Sequence, residues 1–225
     1  MALITMKITD NITLIVTVAL VVAAGMGIGF MVTNSAANNH PSGSSSAYDL
    51  NLVITTNNFF NNATGDQPAY YVLGSNGLVS SANISIPAFT QIDLTIFNYD
   101  NGNGSLYSPQ YANVTGTVGN TETYFNNTLM NSTDATSSIN INGSITTHNV
   151  NPALIAHTFT ILNAQGVPIV NIPVPVSSIV HAVFYINQTG SFTWQCEVNC
   201  GSGPTGWDGA MATPGWMTGF VNVTL

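Results

Sequence analysis

From Asp49 onward the chain is predicted to be all-β: a Greek-key sandwich with a long insertion, preceded by one N-terminal transmembrane helix. Three observations predict this. Short β-branched and aromatic runs alternate with Gly, Asn and Pro clusters. No amphipathic period of helix length occurs after the first 48 residues. One uncharged apolar run stands apart near the N-terminus. The domain reading is therefore a membrane anchor over 1–33, a flexible linker over 34–48 and a β-domain over 49–225 with an insertion at about 99–151.

The anchor is Ile12 to Val32, which contains no charged residue and, at the helical rise, covers the roughly 30 Å hydrocarbon core. Lys7 precedes it and no cation follows, so the positive-inside rule places the N-terminus in the cytoplasm and the rest outside. This predicts a single-pass cell-membrane protein with an extracytoplasmic C-terminal domain. A cleavable signal peptide leaving near Ser35-Ala36-Ala37 is the competing reading. The Ser- and Asn-rich stretch that follows, including His40, is a stalk too polar to pack.

Within the β-domain, strands are predicted over Leu50 to Thr55, Tyr70 to Leu73, Asn83 to Ile86, Ile92 to Asn98, Ala156 to Leu162, Ile179 to Ile186, Ser191 to Gln195 and Phe220 to Thr224. The Asn- and Thr-rich insertion has little continuous hydrophobicity and is expected to form a small hairpin layer of its own, because a structureless loop of that length is unusual.

Charge narrows the function. One Lys, no Arg and nine acids give a formal net charge of −8, and charged residues make up only 4% of the chain. Phosphate backbones need cationic neutralisation, so nucleic-acid binding is excluded. Sequons at Asn62, Asn83, Asn103, Asn113, Asn126, Asn131, Asn142, Asn187 and Asn222 predict a glycoprotein, although Asn- and Thr-rich chains also generate sequons by chance. A surface without cations also suits an acid-exposed archaeal exterior.

The chemistry concentrates in Gly190-Ser191-Phe192-Thr193-Trp194-Gln195-Cys196-Glu197-Val198-Asn199-Cys200-Gly201, which holds both cysteines of the chain. Two thiolates this close on one loop can bridge copper, and Met217 in Met217-Thr218-Gly219 can return a thioether to them. Together with Ala156-His157-Thr158-Phe159-Thr160, these segments resemble the cupredoxin family, most closely the CuA-type domain of subunit II of the haem-copper terminal oxidases. Ile86-Pro87-Ala88-Phe89-Thr90-Gln91-Ile92-Asp93-Leu94 resembles a segment of sulfocyanins, the membrane-anchored copper proteins of acidophilic archaea.

The resemblance implies copper held by His157, Cys196, Cys200 and Met217, with a backbone carbonyl from Glu197 or Val198. It further implies electron transfer in a respiratory chain beside a haem-containing membrane oxidase subunit or another respiratory complex, the protein being an electron-transfer subunit rather than a catalyst by itself. One departure stands out: where the family places its second His, three residues before the Met, this chain has Pro214. His148 and His181 are the remaining imidazoles of the domain, and Asp208 is a carboxylate substitute or a turn residue. His181 is expected on a strand beside the cysteine-bearing one. Met211 is a second thioether, Trp194 is expected in the core, and Trp207 and Trp216 are expected to face a partner.

Two other readings stay open. A disulfide or a pair of reduced thiols would leave Cys196 and Cys200 without copper. The chain would then be a copper-free, quinol-oxidase-like structural subunit, or a glycosylated cell-surface or filament protein with a degenerate cupredoxin fold.

Overall fold

The computed structural model describes residues 47–56, 67–102, 104–126, 144–201 and 209–225. The expected anchor, His40, Asn62, Asn103, Asn131, Asn142, Trp207 and Asp208 lie outside the described residues. Among the described residues no helix is long and apolar enough to cross a membrane.

Twelve strands run in chain order: β1 (Tyr48–Thr55), β2 (Ala69–Gly74), β3 (Gly77–Ser80), β4 (Asn83–Pro87), β5 (Ile92–Asn98), β6 (Glu122–Asn126), β7 (Ser144–Thr147), β8 (Ile155–Leu162), β9 (Pro168–Pro175), β10 (Ser178–Phe184), β11 (Gly190–Gln195) and β12 (Thr218–Thr224). They form a seven-stranded sheet in the order β3-β2-β1-β5-β10-β6-β7 and a five-stranded sheet in the order β4-β12-β11-β8-β9. The β1–β5 and β4–β12 pairs are parallel, and the other strand pairs are antiparallel. The result is an all-β arrangement of two sheets, as the sequence predicts.

Alternation builds the core. Leu50, Leu52 and Ile54 of β1, with Ile92, Leu94 and Ile96 of β5, are buried at every second position. Tyr70, Phe159 and Trp194 stack between the sheets, with ring centroids 5.0–6.1 Å apart. The Tyr70 hydroxyl donates to the Thr158 carbonyl at 2.9 Å, and burial pushes this phenol well above its usual pKa, with Cys196 and then Cys200 adding to the shift.

The predicted strands are all present within a few residues, and four more appear. β9 carries Pro168, Pro173 and Pro175, which read as breakers, but it is an edge strand where a missing N–H is tolerated. β3, β6 and β7 are short, and β3 and β7 are largely exposed. Among the described residues the insertion does not form its own layer: β6 and β7 pair antiparallel, but β6 also pairs with β10 and extends the larger sheet.

Gly219 shows how tightly the sandwich closes. A Cβ there would lie 2.5 Å from Trp194 Nε1, 2.7 Å from the Ser81 carbonyl oxygen and 2.9 Å from that of Ala82. The same indole N–H donates to Ser81 O at 2.9 Å in a fully buried site. Gly219→Ala should therefore destabilise the fold by about 3 kcal/mol or more, combining overpacking with the strained or broken buried hydrogen bond. Urea denaturation measures this; a variant within about 0.5 kcal/mol of wild type would contradict the packing described.

Candidate metal centre

His157 sits on β8, a strand buried along its whole length, just past a register shift between Ile155 and His157. Its ring meets Tyr70 edge-on at 6.2 Å. β11 ends at Gln195, so Cys196 opens the loop that carries Cys200. Both thiols are free and buried, and their sulfurs are 3.4 Å apart, against about 2.05 Å for a disulfide bond.

His157 Nδ1 lies 3.1 Å from Cys200 Sγ and 3.8 Å from Cys196 Sγ. One donor atom from each of the three residues falls within 4.8 Å of the other two. For metal–sulfur bonds of about 2.3 Å and a metal–nitrogen bond of about 2.0 Å, tetrahedral geometry requires donor separations of roughly 3.5–3.8 Å. The observed separations are close to those edges, so small side-chain adjustments would bring all three donors onto one ion.

The cysteine loop is held from both sides. The Thr158 N–H donates to Cys196 Sγ at 3.3 Å, and the Glu197 N–H donates to Thr158 Oγ1 at 2.8 Å. The Cys196 N–H donates to the Met217 carbonyl at 2.8 Å, which ties the loop to the entry of β12. On the other side, Tyr107 N–H donates to Glu197 O and Asn199 N–H to Ser105 O, so residues 105–107 pair with the loop. Gly104 permits that approach, because a Cβ there would lie 2.6 Å from Val198 Cγ1. Clefts of about 390 and 150 Å³ flank the loop; the larger touches Cys196, Glu197, Tyr107 and Met211, and the smaller touches Asp100, His157 and Cys200.

Asp100, which the sequence gives no reason to choose, is part of the site. Its Oδ2 lies 3.0 Å from His157 Nε2, opposite the nitrogen that faces the sulfurs. Burial alone would depress the His157 imidazole, but hydrogen bonding to Asp100 and then the interactions with Cys196 outweigh it and raise the pKa to about 9. Burial would likewise raise the Cys196 thiol, yet hydrogen bonds with Cys200 and His157 and the imidazolium charge pull it well below its usual value. Cys200 moves up, through its hydrogen bond to Cys196 and then burial. The shifts of His157, Cys196 and Asp100 all favour their charged forms, while that of Cys200 favours its neutral thiol.

The remaining predicted residues fall in several places. Met217 is fully buried and bonded through its backbone to Cys196. The Glu197 carbonyl is already engaged by Tyr107. Pro214 forms an isolated bridge with Thr218, and neither spare histidine joins the group. His148 is exposed and bonds the Asn120 carbonyl at 3.0 Å. His181 bonds Thr95 Oγ1 at 3.0 Å and lies on β10 in the larger sheet, not beside the cysteine-bearing strand as expected. Trp194 is in the core as expected, but Trp216 is only 5% exposed and does not face a partner: its carbonyl accepts the Tyr70 N–H, which folds the loop inward. Among the described sequons, Asn83, Asn113 and Asn187 are exposed and Asn222 is half-buried.

No family model matches the chain, and no curated protein matches it. Among solved structures, similarity is found to reduced rusticyanin, at 13% identity and a TM-score of 0.36, covering 80% of this chain and 81% of that one. Rusticyanin from Thiobacillus ferrooxidans gives 14% identity and 0.36, covering 80% and 79%. A multicopper oxidase gives 10% identity and 0.34, covering 83% of this chain and 46% of the other. Overlap this slight leaves the chemistry to the side chains at the site.

Proposed function

We propose that the domain is a cupredoxin-like electron-transfer module that holds copper through His157, Cys196 and Cys200, with Met217 as a weak axial donor. The observation that carries this reading is the convergence of one imidazole and two thiols from β8 and the loop after β11. Soft thiolates with an imidazole favour copper over hard cations. Copper bound there would supply one-electron exchange. The chain's own contribution is rigidity: the hydrogen bonds on both sides of the loop keep the donors in place whichever oxidation state is bound. No general acid or base is needed for such a role.

The setting we propose is extracytoplasmic: a single-pass, membrane-anchored glycoprotein in the manner of terminal oxidase subunit II, exchanging electrons with a haem-containing partner. The apolar run of Ile12 to Val32 and the exposed asparagines at Asn83, Asn113 and Asn187 support this. One observation favours a copper-free structural subunit or surface protein instead: Pro214 stands where a second imidazole would be, and neither His148 nor His181 replaces it.

Copper content and a redox titration followed by visible absorption separate the two readings. The electron-transfer reading expects stoichiometric copper and an intense sulfur-to-copper band that bleaches and returns over one reversible electron. A colourless protein without copper, or one that prefers zinc, would reject it.

A further inference from the structure

We infer that Asp100 is the positioning residue of this centre, fixing the His157 ring with Nδ1 toward the sulfurs and placing a carboxylate charge just behind it. The inference rests on reading His157, Cys196 and Cys200 as the copper site and adds a role for a residue in the opposite sheet's connection.

The geometry is specific. Asp100 follows β5 in the seven-stranded sheet, whereas His157 belongs to the five-stranded one, so the 3.0 Å contact between Oδ2 and Nε2 spans the sandwich. Its other oxygen, Oδ1, accepts the Gly102 N–H at 2.8 Å. The backbone is pinned too: Asp100 N–H donates to Asn98 Oδ1 at 3.0 Å, and the Asp100 carbonyl accepts the Ser177 N–H at 2.8 Å. Asn98 itself is fully buried and donates to Pro175 O at 2.8 Å. Both the carboxylate and the chain carrying it are therefore held before any ligand arrives.

An imidazole has two nitrogens, and the one engaged by a carboxylate carries the hydrogen. With Nε2–H donated to Asp100, Nδ1 is the nitrogen that can give up its proton to bind a metal, and it already faces Cys200 and Cys196. Carboxylate partners of this kind orient ligating histidines and increase their donor strength. Asp100 is not itself among the donors that can reach one ion with the cysteines. Its charge acts from behind the ring, where it favours the more positive oxidation state of whatever the ring binds.

The test compares copper-loaded wild type, Asp100→Asn and Asp100→Ala. Asp100→Asn is close to isosteric and keeps an acceptor oxygen for Nε2–H but loses the charge, so it should keep the fold and the absorption spectrum. Its Cu(II)/Cu(I) balance should move about tenfold toward Cu(I), about 59 mV upward for one electron. Asp100→Ala also loses the orienting bond, and its copper affinity should fall about 10- to 100-fold. A potential in Asp100→Asn equal to wild type, or a copper affinity in Asp100→Ala equal to wild type, overturns the positioning role while leaving the copper site standing. A wild-type protein that takes up no copper overturns both.

Discussion

On the proposed copper reading, Cys196→Ser should abolish copper binding while leaving the fold intact. The serine hydroxyl can still accept the Thr158 N–H that now reaches Cys196 Sγ at 3.3 Å, and the Cys196 N–H bond to Met217 O is a backbone bond that the substitution does not touch. What is lost is the thiolate itself, the donor whose pKa is pulled down by Cys200 and His157 against its burial. Removing a donor should reduce copper(I) affinity by more than the roughly 10- to 100-fold expected for losing an outer hydrogen-bond partner. A chelator-competition titration reads that loss, with far-UV circular dichroism confirming the sandwich. Met217→Leu removes only the donor proposed as a weak axial ligand, so that variant should stay loaded. Copper retained at wild-type affinity in Cys196→Ser would mean that the metal lies elsewhere.

The second large effect lies away from the site. Glu122 on β6 is 1% exposed, and among the described residues neither carboxylate oxygen has a hydrogen-bond partner. Burial raises its pKa from the ordinary 4.5 to about 9. The folded chain therefore keeps a proton that the unfolded chain releases above pH 4.5, so folding stability falls as pH rises. The contribution is fully present below pH 4.5 and declines by roughly 1.4 kcal/mol per pH unit until about pH 9. At pH 7 the loss is on the order of 3 kcal/mol. Glu122→Gln should flatten this part of the curve, because a neutral amide has no proton to lose. Urea denaturation from pH 4 to pH 8 checks it; a variant with the wild-type slope would show that Glu122 is not the linked group.

Much of the sandwich is legible in the sequence because its central strands alternate. Ile92 to Asn98 is read with its observed bounds, since Ile92, Leu94 and Ile96 face inward at period two. β9 is hidden by its prolines, and only its place at a sheet edge makes them acceptable. Strands β6 and β7 escape because β7 is exposed and Thr-rich and β6 earns its place only by pairing with β10, a partner more than fifty residues away.

The site divides along the same line. Cys196 and Cys200 share one loop, so their proximity can be read from spacing, and Met217 is tied to Cys196 by the β11–β12 pairing. Asp100 cannot be read this way. Asp100-Asn101-Gly102 has the composition of a turn, and Oδ1 does bond the Gly102 N–H, but the same turn aims Oδ2 at a histidine 57 residues away in the other sheet. Trp216 fails for a related reason. A tryptophan on a loop suggests a partner surface, yet the Tyr70 N–H captures its carbonyl and draws it under the sheet.

The most direct test of the proposed copper centre is an anomalous difference map at the copper edge, from crystals of the protein grown with copper. The expected result is a peak within bonding distance of His157 Nδ1, Cys196 Sγ and Cys200 Sγ, with Asp100 still on Nε2. A map with no peak there, and the two sulfurs joined at about 2.05 Å, would contradict it.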